Sequence, residues 1–170
     1  MSECLFCGFI EKKANMIFED EKTFVMLSPQ PFSPGHVVVM PKKHAPILDA
    51  VPDFVVGDLF KIANKVCVAV FEVLGAHGTN VLVQNGVAAG QKHNHAMVHV
   101  VPRMENDGLQ IGWEPKKAGE EDLSTMELRL KEETKSVGIF ESEKQKPIEI
   151  EKPKERPAED IRVKHIKRIP

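Results

Sequence analysis

Three of the chain's seven histidines fall in one stretch, Gly90 to Arg103, GQKHNHAMVHVVPR. From His95 onward the stretch alternates, and on a β-strand alternate side chains share a face. His95, Met97 and His99 then look one way, while Ala96, Val98 and Val100 look the other way, onto a core. Two imidazoles on one face can bind an anion or move a proton, whereas a lone histidine on an apolar strand is usually a satisfied core residue. Directly upstream, NGVAAGQ is small and glycine-rich, so its backbone N–H groups can approach a phosphate. It lacks the Lys-Ser/Thr of a P-loop. Met97 interrupts this chemistry, because a thioether has no proton to exchange and is a poor nucleophile toward phosphorus. His93 takes the same side only if the strand reaches back that far.

Cys4 and Cys7 form a second candidate, a C-x-x-C. Two thiolates at that spacing suit zinc, but they are only half of a structural site. A redox role is the weaker reading, since no thioredoxin-like βαβ pattern surrounds the pair. The third cysteine, Cys67, lies in an apolar helical pattern and reads as a small core hydrophobe. An odd count in an apparently cytosolic chain does not suggest a disulfide framework.

The elements that must position these residues are legible from the apolar pattern. Eight of the nine Phe precede Arg103, and only 18 of the 48 Lys, Arg, Asp and Glu residues lie up to that point. The first two-thirds of the 170 residues can therefore build a core, while the last third can only decorate it or remain mobile. MIFED and TFVML read as strands around Asp20-Glu21-Lys22, and VVVMP as a buried strand stopped by Pro41. Asp53 to Leu74 has helical apolar spacing, with Gly75 as its C-cap. NVLVQ is the next strand, and HAMVHVVP is the last core strand, ended by Pro102. Strands, helix, strands predict an α+β domain with antiparallel strands on one long helix.

Residues 1–113 form this domain, with MENDGLQIGW as a loop or short strand anchored by Trp113. Residues 114–140 are a peripheral helical extension, its helix opening on a capping box from Ser124 to Glu127. Residues 141–160 are charged and proline-bearing, a flexible linker, and 161–170 (IRVKHIKRIP) form a basic amphipathic tail that can dock a protein partner. No apolar run is long enough for a membrane span, and the start lacks a signal-peptide pattern, so a cytoplasmic location is expected. The net charge of −2 carries no strong nucleic-acid signal.

The quoted stretches resemble the histidine triad (HIT) superfamily. Its signature GQ-x-x-x-H-x-H-x-H-x-x-PR is met at Gly90, Gln91, His95, His99, Pro102 and Arg103, with Met97 at the middle histidine. PFSPGHVVVMPKKH, NVLVQNGVAAGQ and CLFCGFI resemble its upstream segment, phosphate loop and N-terminal C-x-F-C, so the likeness runs over roughly residues 4 to 110. It implies a half-barrel of antiparallel strands with helices, a purine nucleotide or dinucleotide as ligand, and a homodimer. It also implies roles. His99 contacts the α-phosphate or the leaving group, and Gln84, Gly90 and Gln91 form the phosphate cradle. His36 supports the triad. Ser28 stands where the family often has Asp or Asn on the ribose, and apolar residues such as Phe6, Phe9, Leu27 and Val39 supply pocket walls. Some superfamily members hold zinc with a ligand set matched here by Cys4, Cys7, His44 and His95. In the family the middle histidine is the covalent nucleophile, so Met97 makes this a degenerate catalytic position. The favoured reading is a zinc-stabilised nucleotide-binding protein with impaired or absent nucleotidyl transfer. The alternatives are an active hydrolase or transferase of dinucleoside polyphosphates or nucleoside phosphoramidates, and a scaffold acting through its tail.

Overall fold

The computed structural model describes residues 4–140; the predicted linker and tail, 141–160 and 161–170, lie outside the described residues. Five strands form one antiparallel sheet: β1 (Met16–Glu19), β2 (Thr23–Leu27), β3 (Val37–Pro41), β4 (Gly78–Val83) and β5 (Val98–Arg103), in the order β1-β2-β3-β5-β4. Helices α1 (Leu5–Lys12), α2 (Asp53–Leu74) and α3 (Glu120–Glu133) complete the fold. Among the described residues no helix is long and apolar enough to cross a membrane.

The sheet has two apolar faces, and strand alternation sorts residues between them. Val25, Val37, Val39, Ala96, Val98 and Val100 pack against Val55, Leu59 and Ala63 of α2. Phe24, Met26, Val38, Met40 and Met97 form a second cluster on the other face, with Phe6 of α1. The alternation expected of His95 to Val100 therefore holds in space, although the ladder itself begins only at Val98. Helix α2 spans the expected residues, and Gly75 takes the left-handed conformation, φ 63°, that ends it.

Several expectations give way. Pro41 closes β3 as expected, but β5 runs one residue past Pro102, to Arg103. Pro102 falls past the last β3 partner, Val37↔Val100, so its missing N–H costs no bond on that side. CLFCGFI forms α1, which the strand-and-helix reading did not anticipate. Helix α3 starts at Glu120 with Gly119 as N-cap, and Ser124 instead donates its hydroxyl back to the Glu120 carbonyl at 2.8 Å. Trp113 is 87% exposed and anchors nothing, since among the described residues no strand follows Arg103 to carry it onto the sheet.

Candidate functional site

A cavity of about 280 Å³ opens on the face of the sheet that α1 covers, near the lower end of the roughly 300–1,000 Å³ common for small-molecule sites. His36, Gln84, Gln91, His95, Met97 and His99 all line it, as does Ser28. Ser28 after β2, His36 before β3, Gln84 and Gln91 after β4, and His99 on β5 are thus brought together, while Gly90, expected in the cradle, is not part of the lining. Of the expected walls only Phe6 contributes; Phe32, Val38, Pro29 and Pro31 supply further apolar wall. Val39 is excluded because alternation along β3 turns it to the α2 face, and Phe9 packs behind Phe6 with rings 5.5 Å apart. Leu27, at the end of β2, is 44% exposed and outside the lining.

His36 and His99 form one unit. The Phe32 N–H donates to His36 Nδ1 at 3.2 Å, so that nitrogen is unprotonated. The neutral ring then carries its proton on Nε2, which lies 3.1 Å from His99 Nδ1. By the same logic His99 Nδ1 accepts, and its Nε2–H is left as a donor on the cavity wall. Burial pushes both rings down to about 4, His36 further through His99 and His99 through His93. Phe32 stacks on His36 with centroids 4.8 Å apart, closing the unit against water.

The glycine-rich loop is shaped by Gln91. Gly86 N–H donates to Gln91 Oε1 at 2.7 Å, and Gln91 Nε2 donates to Pro46 O and His93 O at 2.7 and 2.8 Å. Both amide protons of Gln91 therefore brace the loop. Gly90 has φ +86°, and a Cβ there would lie 2.7 Å from Gln84 Nε2, so only glycine lets Gln84 approach. Arg103 forms a structural clamp, its guanidinium meeting Asp107 through Nε at 2.6 Å and Nη2 at 2.8 Å, and Asn80 at 2.6 Å. This holds the Asp107 carboxyl well below the usual carboxylate range.

His93 is the residue that strand reasoning left aside. It precedes the ladder, and its carbonyl accepts from His95 N at 2.9 Å. Nevertheless it lines the cavity, with its ring 5.0 Å from Phe6 in a T-shaped pair. Alternation offered it this side only if the strand reached back to it; the ladder starts at Val98, and the loop braced by Gln91 brings it there instead.

Cys4, Cys7, His44 and His95 offer four ligand atoms within 4.8 Å of one another. Cys4 caps α1 and Cys7 lies one turn in, so the helix sets both thiols on one side near its positive end. Cys4 Sγ is 3.5 Å from His95 Nδ1, and Cys7 Sγ is 3.5 Å from His44 Nδ1 and 3.7 Å from His95 Nδ1. Tetrahedral zinc with ordinary bond lengths separates its sulfur and nitrogen ligands by about 3.5 Å. The buried His95 ring has its other nitrogen, Nε2, 2.9 Å from the Pro41 carbonyl, which fixes Nδ1 as the ligating atom. Burial and the neighbouring Cys4 push the Cys7 thiol up to about 11, so without a cation beside it this thiol stays protonated. The donor set fits zinc in identity, spacing and outer support. Cys67 stands apart, packed against the α2-side core.

A sheet flanked by a long helix, with two of three alternating histidine positions at its cavity, defines a histidine-triad type of domain. The HIT domain family model matches residues 10–106. The chain belongs to the HIT family. It is 39% identical over 107 residues to a HIT-like protein of Methanocaldococcus jannaschii, covering 62% of this chain and 82% of that one. It is 30% identical over 143 residues to an adenosine 5′-monophosphoramidase of Candida albicans, covering 80% of this chain and 94% of that one. A solved zinc-bound histidine triad family protein of Mycobacterium smegmatis matches with TM-score 0.60 at 31% identity, over 77% of this chain and 97% of that one.

Two outcomes are expected. Metal analysis of the purified chain should find about one zinc per molecule, and much less in Cys4→Ser; equal content in both would defeat the Cys4, Cys7, His44, His95 assignment. The second concerns pH. His36 and His99 stay neutral down to about 4 when folded, whereas an unfolded chain takes up protons near the ordinary 6.5. The unfolded state therefore binds more protons between these values, and stability falls as pH drops through that window, by up to about 1.4 kcal/mol per pH unit for each ring. Urea unfolding from pH 7 to 4.5 should show this slope, and His99→Gln should reduce it; an unchanged slope would contradict the buried neutral pair.

Proposed function

We propose that this chain is a zinc-stabilised nucleotide-binding HIT protein whose covalent nucleotidyl transfer is impaired or absent. The observation that carries the reading is Met97, 8% exposed, between His95 and His99 in a cavity that keeps Gln84, Gln91, His36 and His99. In the family the side chain at that position attacks the α-phosphorus, and a thioether does not form the phosphoramidate-like intermediate that an imidazole does. The name of the Candida albicans relative, an adenosine 5′-monophosphoramidase, supports an adenosine nucleotide as ligand. His99 Nε2–H would donate to the α-phosphate, Ser28 would meet the ribose, and Gln91 would hold the loop beside the phosphate. Zinc would fix His95 and clamp α1 over the sheet. A homodimer is supported by the edge strand β4 and the exposed Val68 and Phe71 of the adjoining α2.

The test compares wild type with Met97→His on adenosine 5′-phosphoramidate and diadenosine polyphosphates. Wild type should bind AMP in the micromolar range and turn over about a thousandfold or more slowly than Met97→His. Turnover by the wild type that disappears in His99→Ala would instead establish the alternative, a working hydrolase that activates water directly.

A further inference from the structure

The cavity has an unusual charge census. Among the described residues that line it there is one Lys, Lys92, no Arg, and no Asp or Glu. Two of the imidazoles in the wall, His36 and His99, are neutral at ordinary pH because burial excludes the proton. Met97 brings no charge, and the amides of Gln84 and Gln91 bring only dipoles. A nucleotide phosphate nevertheless arrives as an anion, and an anion buried without a counter-charge is costly. Lys92 is exposed, so its ammonium stays solvated at the rim. It makes no ion pair with any described carboxylate. Its backbone is not free to drift, because the Gln91 amide ties its neighbours to Gly86, Pro46 and His93. The loop thus holds an unpaired cation at the rim of the cavity that His99 lines.

We propose that Lys92 is the phosphate-pairing residue of this cavity and sets its preference for phosphorylated over unphosphorylated nucleosides. The proposal rests on the nucleotide reading above. It differs from the roles implied by the HIT signature, in which position 92 is one of the unspecified residues between the Gln and the first histidine. It also gives the chain a source of phosphate affinity that does not depend on a triad nucleophile.

Calorimetric titration of the full chain with adenosine, AMP and ADP tests it, comparing wild type with Lys92→Gln and Lys92→Arg. Lys92→Gln should weaken AMP and ADP about tenfold, the worth of one charge-assisted hydrogen bond, and leave adenosine unchanged. It should also flatten the salt dependence of AMP binding, and Lys92→Arg should retain most of both. Because Lys92 is exposed, the variants should unfold at the wild-type midpoint. Unchanged AMP and ADP affinity in Lys92→Gln would overturn the proposal. An equal loss for adenosine would overturn it too, since Lys92 would then serve the base or the fold. Binding of none of the three by the wild type would bring down the nucleotide reading itself, and this proposal with it.

Discussion

The structure depends on one short run, His95 to Val100, serving two faces of a sheet at once. Ala96, Val98 and Val100 enter the core beneath α2, while His95, Met97 and His99 face α1 and the cavity. A one-residue slip would put three polar or soft side chains into the aliphatic core and three aliphatic ones at the cavity. The register is held by pairing on both sides, Val98 with Val39 and Val83, and Val100 with Val37 and Val81. Each buried imidazole also has a hydrogen-bond partner that fits only this register: Pro41 O for His95 and His36 for His99. Core packing and site geometry are therefore one constraint.

The middle position is the one of the three with no hydrogen-bonding duty. His95 and His99 are tied to partners, so their loss would leave Pro41 O or His36 Nε2 without a mate in a buried place. Met97 has no polar duty. It lies with Phe6, Phe24, Met26, Val38 and Met40, where a flexible thioether fills irregular space well. The metal-type cluster and the cavity then share α1, which carries Phe6 between Cys4 and Cys7 and lays that ring against His93 and His95.

Much of this was legible in the residues, and the reasons differ by element. Helix α2 was readable over its whole length because a pattern repeated through six turns leaves one solution. The HIT signature gave the order and pairing of the site residues across β3, β4 and β5. What escaped depended on information that periodicity does not hold. VVVMP is apolar throughout, so nothing in it says that Val38 faces the cavity and Val39 the helix. The cysteine motif drew attention to α1 as ligands and hid it as a helix. His93 sits in a loop folded back by the Gln91 amide, a bond between residues whose partners no pattern names. Trp113 looked like an anchor by type, but among the described residues no pairing strand follows Arg103 to bring it onto the domain.

The central claim, a phosphate cradle left standing around a position that does no covalent chemistry, is tested most directly by a crystal structure of the wild-type chain with AMP. The account predicts the α-phosphorus beside the Met97 thioether, one phosphate oxygen within hydrogen-bond distance of His99 Nε2, and no bond from phosphorus to the protein. A phosphorus–nitrogen bond to any histidine, or AMP seated away from the cavity between Phe6 and Phe32, would contradict it.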